Sequence, residues 1–161
     1  MAAVSISAIV FAGIFSAYLF VGRNLTRLVN LQHQEVESRR TLQRFTQDLS
    51  AAIQLTTATS SQVSLTKPLG SGTTAVSYSY SSANGTFTRT DSAGTQTLLS
   101  GVTGLTLSYF TEAGSAVTDT QSVKSVELLV SSATGSANNS TLASYTTVSP
   151  RVVLRNKPAL Q

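Results

Sequence analysis

The run from Met1 to Gly22 carries no charged side chain, and this constrains the fold more than any other feature of the sequence. As a helix rising about 1.5 Å per residue, the run would be roughly 33 Å long, which matches the hydrocarbon core of a bilayer. Its serines can return their hydrogen bonds to a carbonyl one turn back, so they do not prevent burial in lipid. The run therefore predicts a membrane-spanning helix.

Two alternatives stay open for this run. A secretory signal peptide would begin with basic residues and have an apolar core of about 7 to 15 residues. Here the first basic residue is Arg23, after a longer apolar stretch. The other alternative is a buried helix of a globular protein.

The helical pattern continues past Gly22 but changes character. No Pro or Gly occurs from Arg23 to Gln54, and the apolar residues recur in steps of three and four, as one face of a helix requires. The polar residues between them, Asp48 included, are expected to face water. We therefore expect one helix of about 54 residues, apolar over 1–22 and amphipathic over 23–55.

From Thr56 the chain becomes rich in Ser and Thr that alternate with β-branched and aromatic residues, which favours strands. Turns are expected at Ala83-Asn84-Gly85 and Ser92-Ala93-Gly94, because Asn and Gly accept tight-turn geometry. Thr56–Gln62 is expected to lead out of the helix, Pro68 to end a strand, and Ala133–Thr141 to form an exposed loop. The predicted strands are Val63–Thr66, Thr74–Ser81, Thr86–Thr90, Thr95–Leu99, Leu105–Thr111, Val123–Ser131, Leu142–Val148 and Arg151–Arg155.

Taken together, these patterns predict an α+β fold. A long N-terminal helix, first membrane-spanning and then amphipathic, would pack on a C-terminal antiparallel β-sheet formed by residues 56–161.

Composition argues against several kinds of chemistry. The net charge is only +4 and the basic residues are dispersed, whereas nucleic-acid binding requires them to be clustered. There is no Cys, and the single His, His33, lies on the predicted helix, away from any serine nucleophile in the β region. The acids Asp91, Glu112 and Asp119 lie in or near predicted turns with irregular spacing, which does not favour a calcium site. We expect no enzyme activity and no cofactor.

Three segments carry a resemblance to a known family: AAVSISAIVFAGIFSAYLFVGRNL (Ala2–Leu25), RRTLQRFTQDLSAAI (Arg39–Ile53) and VSPRVVLRN (Val148–Asn156). Together they resemble the type IV pilin and type II secretion pseudopilin superfamily, the middle segment being similar to J-class pseudopilins and W-type minor pilins. The resemblance implies a pilin-like fold and a structural subunit of a pilus or pseudopilus. It also implies a single-pass protein of the bacterial inner membrane with its C-terminal domain in the periplasm.

The same resemblance implies the partners: other pilin or pseudopilin subunits, the inner-membrane assembly machinery, and a prepilin peptidase that acts on a longer precursor. The family's processing motif, Gly followed by Phe-Thr-Leu-x-Glu, does not occur in this chain, so we expect Met1 to be an internal methionine of that precursor. By the positive-inside rule alone, Arg23 and Arg27 would favour the opposite orientation.

The small-xxx-small spacing of Gly13 and Ala17 would permit close helix approach. The residues expected to form the membrane and assembly surface are Ile6, Ile9, Val10, Gly13, Ile14, Ala17 and Phe20. A membrane-tethered periplasmic binding or sensor module is the alternative function, and it would require a well-formed ligand pocket in the β region.

Overall fold

The computed structural model describes residues 2–134 and 143–157, apart from the side chains of residues 2–10, 26–28, 30, 31, 33, 34, 133, 134 and 143–145. Helix α1 extends over Ala2–Ala51. The chain separates into two compact units, one up to Val36 and one from Glu37 onward. Each unit is described by itself below.

The unit that begins at Glu37 contains the last part of α1 and all of the described strands. The strands are β1 (Gln54–Ala58), β2 (Gln62–Leu69), β3 (Gly72–Ser81), β4 (Thr86–Asp91), β5 (Gly94–Leu99), β6 (Val102–Phe110), β7 (Ser125–Thr134), β8 (Ala143–Val148) and β9 (Val152–Val153).

These strands form two antiparallel sheets. The first sheet is a meander in which β1 to β5 follow one another in chain order. In the second sheet, β7 is central, with β6 on one side and both β8 and β9 on the other. The predicted strand Val123–Ser131 thus corresponds to most of the central strand β7.

The hydrophobic core joins the C-terminal part of α1 to side chains of both sheets. Phe45, Leu49 and Ala52 are fully buried at helical spacing. The ring of Phe45 meets the ring of Tyr78 edge-on with centroids 5.1 Å apart, and Tyr78 stacks on Phe87 at 5.8 Å. Aromatic pairs at such distances add about 0.5 to 1.5 kcal/mol each beyond the burial of their area.

Tyr109 joins the second sheet to the hairpin between β1 and β2. Its hydroxyl donates to the carbonyl oxygens of Thr59 and Gln62 at 2.7 and 2.9 Å. The backbone N–H of Leu107 donates to Ser60 O at 2.8 Å in the same region. Burial raises the pKa of Tyr109, so the hydroxyl stays protonated and able to donate.

The end of the described chain is anchored by Lys157, whose side chain is buried. Its ammonium donates to three backbone carbonyl oxygens, those of Thr120, Gln121 at 2.7 Å and Val123 at 2.8 Å. Lys124 in turn donates to Lys157 O at 2.6 Å. Burial and the nearby charge of Lys124 lower the pKa of Lys157.

The predicted fold class is wrong in two respects. First, the β region forms two sheets and the structure is mostly antiparallel β-sheet, where a single sheet beneath a dominant helix was expected. The alternation of residues along the strands indicates their faces but not which strands pair.

Second, no helix within the described residues has the length and apolar character needed to cross a membrane. Spanning needs a run of about 20 consecutive, predominantly apolar residues. This finding overturns the predicted transmembrane helix and, with it, the single-pass location in a bacterial inner membrane.

Two local predictions are also wrong. Thr56–Gln62, which was expected to lead out of the helix, instead contains the end of strand β1 (Gln54–Ala58) and the start of β2. Strand β2 continues through Pro68 to Leu69. Pro68 is tolerated because β1 pairs with β2 only as far as Thr66, so that Pro68 has a neighbouring strand on one side alone. The predicted loop Ala133–Thr141 lies outside the described residues from position 135 onward.

Candidate assembly surface and a buried charge cluster

Large apolar side chains lie exposed along α1 in the unit that ends at Val36. Tyr18 is 76% exposed and Phe11 72%, values typical of side chains that meet solvent on nearly every side. Steps of three and four place most of these residues on one face of the helix. We call this set the apolar stripe: Phe11, Ile14, Phe15, Tyr18, Val21, Leu25 and Val29.

The stripe has the properties of an association surface. Contiguous apolar patches of several hundred Å² are uncommon on the surfaces of monomeric proteins and mark sites of interaction. Full burial of one such side chain stabilises a complex by about 1.5 to 3 kcal/mol, before the entropy of association is subtracted. Several of them acting together are sufficient to support a stable contact.

The residues predicted for the assembly surface fall only partly on this stripe. Ile14 belongs to it, whereas Gly13, Ala17 and Phe20 lie on another, also exposed, face of the helix. A Cβ added at Gly13 would meet no other atom within 4 Å, so this position leaves room for close approach of another helix. The side chains of Ile6, Ile9 and Val10 lie outside the described residues.

A second feature, a buried cluster of charges, was missed by the sequence analysis. Asp48, expected to face water, is only 5% exposed. Its carboxylate accepts hydrogen bonds from Lys67 Nζ at 2.5 Å, Tyr78 Oη at 2.7 Å and Arg89 Nε at 2.8 Å. Arg89 also pairs with Asp91 on the same strand. The cluster connects α1 to β2, β3 and β4.

The pKa values of the cluster follow from these contacts. Burial alone would raise the pKa of Asp48, but the hydrogen bonds from Lys67, Arg89 and Tyr78 outweigh it and hold the pKa below its ordinary value of 3.8. Burial, reinforced by the charge of Asp48, raises the pKa of Tyr78. Asp48 is therefore ionised and Tyr78 protonated near neutral pH. A buried ion pair of this kind positions one element on another and requires no ligand.

Sequence signals for the cluster were present. Asp48 is seven residues after Thr41 and three after Phe45, which places all three on one face of the helix. Arg89 is two residues after Phe87, so strand alternation directs it to the same inward face. A carboxylate and a guanidinium that both point inward are expected to pair.

Within the described residues, no three side chains of His, Cys, Asp or Glu come together in a way that could hold a metal ion. No family model matches the chain, and no curated protein is significantly similar to it. The resemblance to pilins and pseudopilins stays a prediction from the sequence.

Proposed function

We propose that this protein is a non-enzymatic structural subunit that joins other subunits of a pilus-like filament through the apolar face of its N-terminal helix. The observation that carries the proposal is the apolar stripe, where large side chains repeat at helical spacing and remain exposed. Helices that bury such faces against one another form bundles by interlocking side chains along their length. Gly13 and Ala17 would add a second face suited to close packing.

The unit that begins at Glu37 supports the same proposal. Within this unit, Asp48 fixes the last part of α1 on the first sheet through hydrogen bonds from Lys67, Tyr78 and Arg89. Other pilin-like subunits are the proposed partners, and the assembly machinery and the precursor peptidase stay predictions from the resemblance.

The experiment compares the sedimentation of the full chain with that of two variants by analytical ultracentrifugation. Ile14→Asp places a charge in the apolar stripe, and desolvating that charge in an interface would cost several kcal/mol. Leu69→Asp is the matched control, because Leu69 in the β region is 61% exposed, the same fraction as Ile14. We expect the native chain and Leu69→Asp to form large assemblies, and Ile14→Asp to sediment as a monomer.

A native chain that stays monomeric at tens of micromolar would contradict the proposal and favour the alternative of a binding module. Equal assembly of the two variants would show that association uses another surface.

A further inference from the structure

A groove of about 240 Å³ runs beside strand β5 in the unit that begins at Glu37. One wall is formed by the last part of α1 and the other by the outermost strand of the first sheet. The residues that line it are Glu37, Arg40, Thr41 and Arg44 on the helix, and Gln96, Thr97 and Leu98 on the strand.

Strand β5 is an edge strand. Among the described strands it pairs with β4 alone. Thr95, Gln96 and Thr97 are all exposed. The register between β4 and β5 shifts at Leu98, and Leu98 O accepts a hydrogen bond from Thr41 Oγ1 at 3.3 Å. The helix thus occupies the backbone oxygen of Leu98. The outer backbone edge of residues 95–97 is left available for pairing with another strand.

The helix supplies charge along this edge. Arg40 and Arg44 are exposed and one turn apart, which separates their Cβ atoms by about 5 to 6 Å. Arg44 contributes to the lowered pKa of Asp91, after the larger effect of the hydrogen bond from Arg89. Asp91 pairs with Gly94 at the start of β5, and Arg44 lines the groove beside this strand.

The separation of Arg40 and Arg44 is similar to the distance between alternate residues of an extended peptide. Two residues of a strand advance about 6.6 to 6.8 Å, and their side chains point to the same side. Carboxylates at alternate positions of an added strand would therefore reach both guanidinium groups. A third carboxylate, placed beyond Arg40, would be repelled by the negative charge of Glu37. The site is therefore expected to accept two carboxylates from the added strand.

We propose that the edge of β5 is a docking site for an extended segment of a partner polypeptide that carries two acidic residues separated by one residue. The segment adds a strand next to residues 95–97, and its carboxylates pair with Arg40 and Arg44. The proposal does not depend on the assembly function, because every residue it uses lies in the unit that begins at Glu37.

The test uses the full chain and a blocked, fluorescent seven-residue peptide that has Glu at positions 3 and 5 and Thr at every other position, with binding measured by fluorescence anisotropy. A second peptide replaces each Glu by Gln. We expect the Glu peptide to bind at least tenfold more tightly, and the chain with Arg40→Gln and Arg44→Gln to lose that advantage. Arg155→Gln, which removes an exposed arginine elsewhere, should bind as the native chain does.

Backbone pairing is tested on the native chain, so the result does not depend on whether a variant folds. One Glu peptide is N-methylated at the Thr amides of positions 2, 4 and 6, and another at its two Glu amides. Only one set of amides can face β5, so one methylated peptide should lose binding and the other should keep it. Equal binding of both, or of the Glu and Gln peptides, would overturn the proposal. The same results are expected with Ile14→Asp, which separates this site from assembly.

Discussion

At the scale of single residues, the molecule depends on a charge that is hidden from water. Asp48 is the acceptor for three donors from three different strands, so its removal would leave Arg89 buried with Asp91 as its remaining carboxylate. Removing one partner of a buried ion pair costs more than the pair itself contributes, because the other charge stays desolvated.

We expect Asp48→Asn to lower the free energy of unfolding by about 3 kcal/mol or more, as measured by urea denaturation. Glu112→Gln removes an exposed carboxylate and should change it by less than about 0.5 kcal/mol. A similar small change in both variants would mean that the Asp48 cluster contributes little to stability.

Stability should also depend on pH through Asp48. Since its pKa in the folded state lies below the ordinary 3.8, the folded state binds this proton less tightly than the unfolded state. The contribution is complete above 3.8 and is lost as the pH falls through the folded pKa. Between about pH 4 and pH 2, the free energy of unfolding should fall more steeply for the native chain than for Asp48→Asn. Parallel curves would contradict this assignment.

At the scale of elements, alternation predicted the strand faces well. Val76, Tyr78 and Phe87 point into the core, and so do Leu105, Leu107 and Tyr109, at alternate positions of their strands. The sequence could not show that the strands divide into two sheets, because each sheet alternates in the same way and the division depends on which strands pair. The groove beside β5 was hidden for a similar reason: Arg40 and Arg44 look like an ordinary solvated face until the edge strand is placed next to them.

The turn between β3 and β4 provides a test at this scale. Gly85 has φ +59°, and an added Cβ would lie 3.1 Å from Val102 O. Gly70, in the turn between β2 and β3, has φ +60° but open space around it. Both Gly→Ala changes carry about 1 to 2 kcal/mol of left-handed strain. In thermal unfolding, Gly85→Ala should lower the midpoint further than Gly70→Ala. Equal shifts would show that the contact with Val102 relaxes freely.

At the scale of the whole molecule, two proposed interactions have different physical origins. Assembly would rest on the apolar stripe, and peptide docking on two arginines. Apolar burial weakens on cooling and is strengthened by sulfate, whereas interactions between exposed charges are screened by salt. The two can therefore be separated without any mutation.

We expect warming from about 5 to 25 °C, or adding sodium sulfate, to increase the assembled fraction in sedimentation. Raising sodium chloride from about 50 to 500 mM should weaken binding of the Glu peptide several-fold while leaving assembly intact. Assemblies that dissolve in sodium chloride would indicate an electrostatic contact in place of the apolar one.

The anchor at Lys157 has a consequence for how this protein can change over generations. Its ammonium donates hydrogen bonds to the backbone oxygens of residues 120, 121 and 123. Every amino acid has such an oxygen. The side chains of residues 120–123 can therefore change without loss of the hydrogen bonds that hold the end of the described chain. Substitution of Lys157 is restricted, because only a long cationic side chain can reach those oxygens and donate to all three.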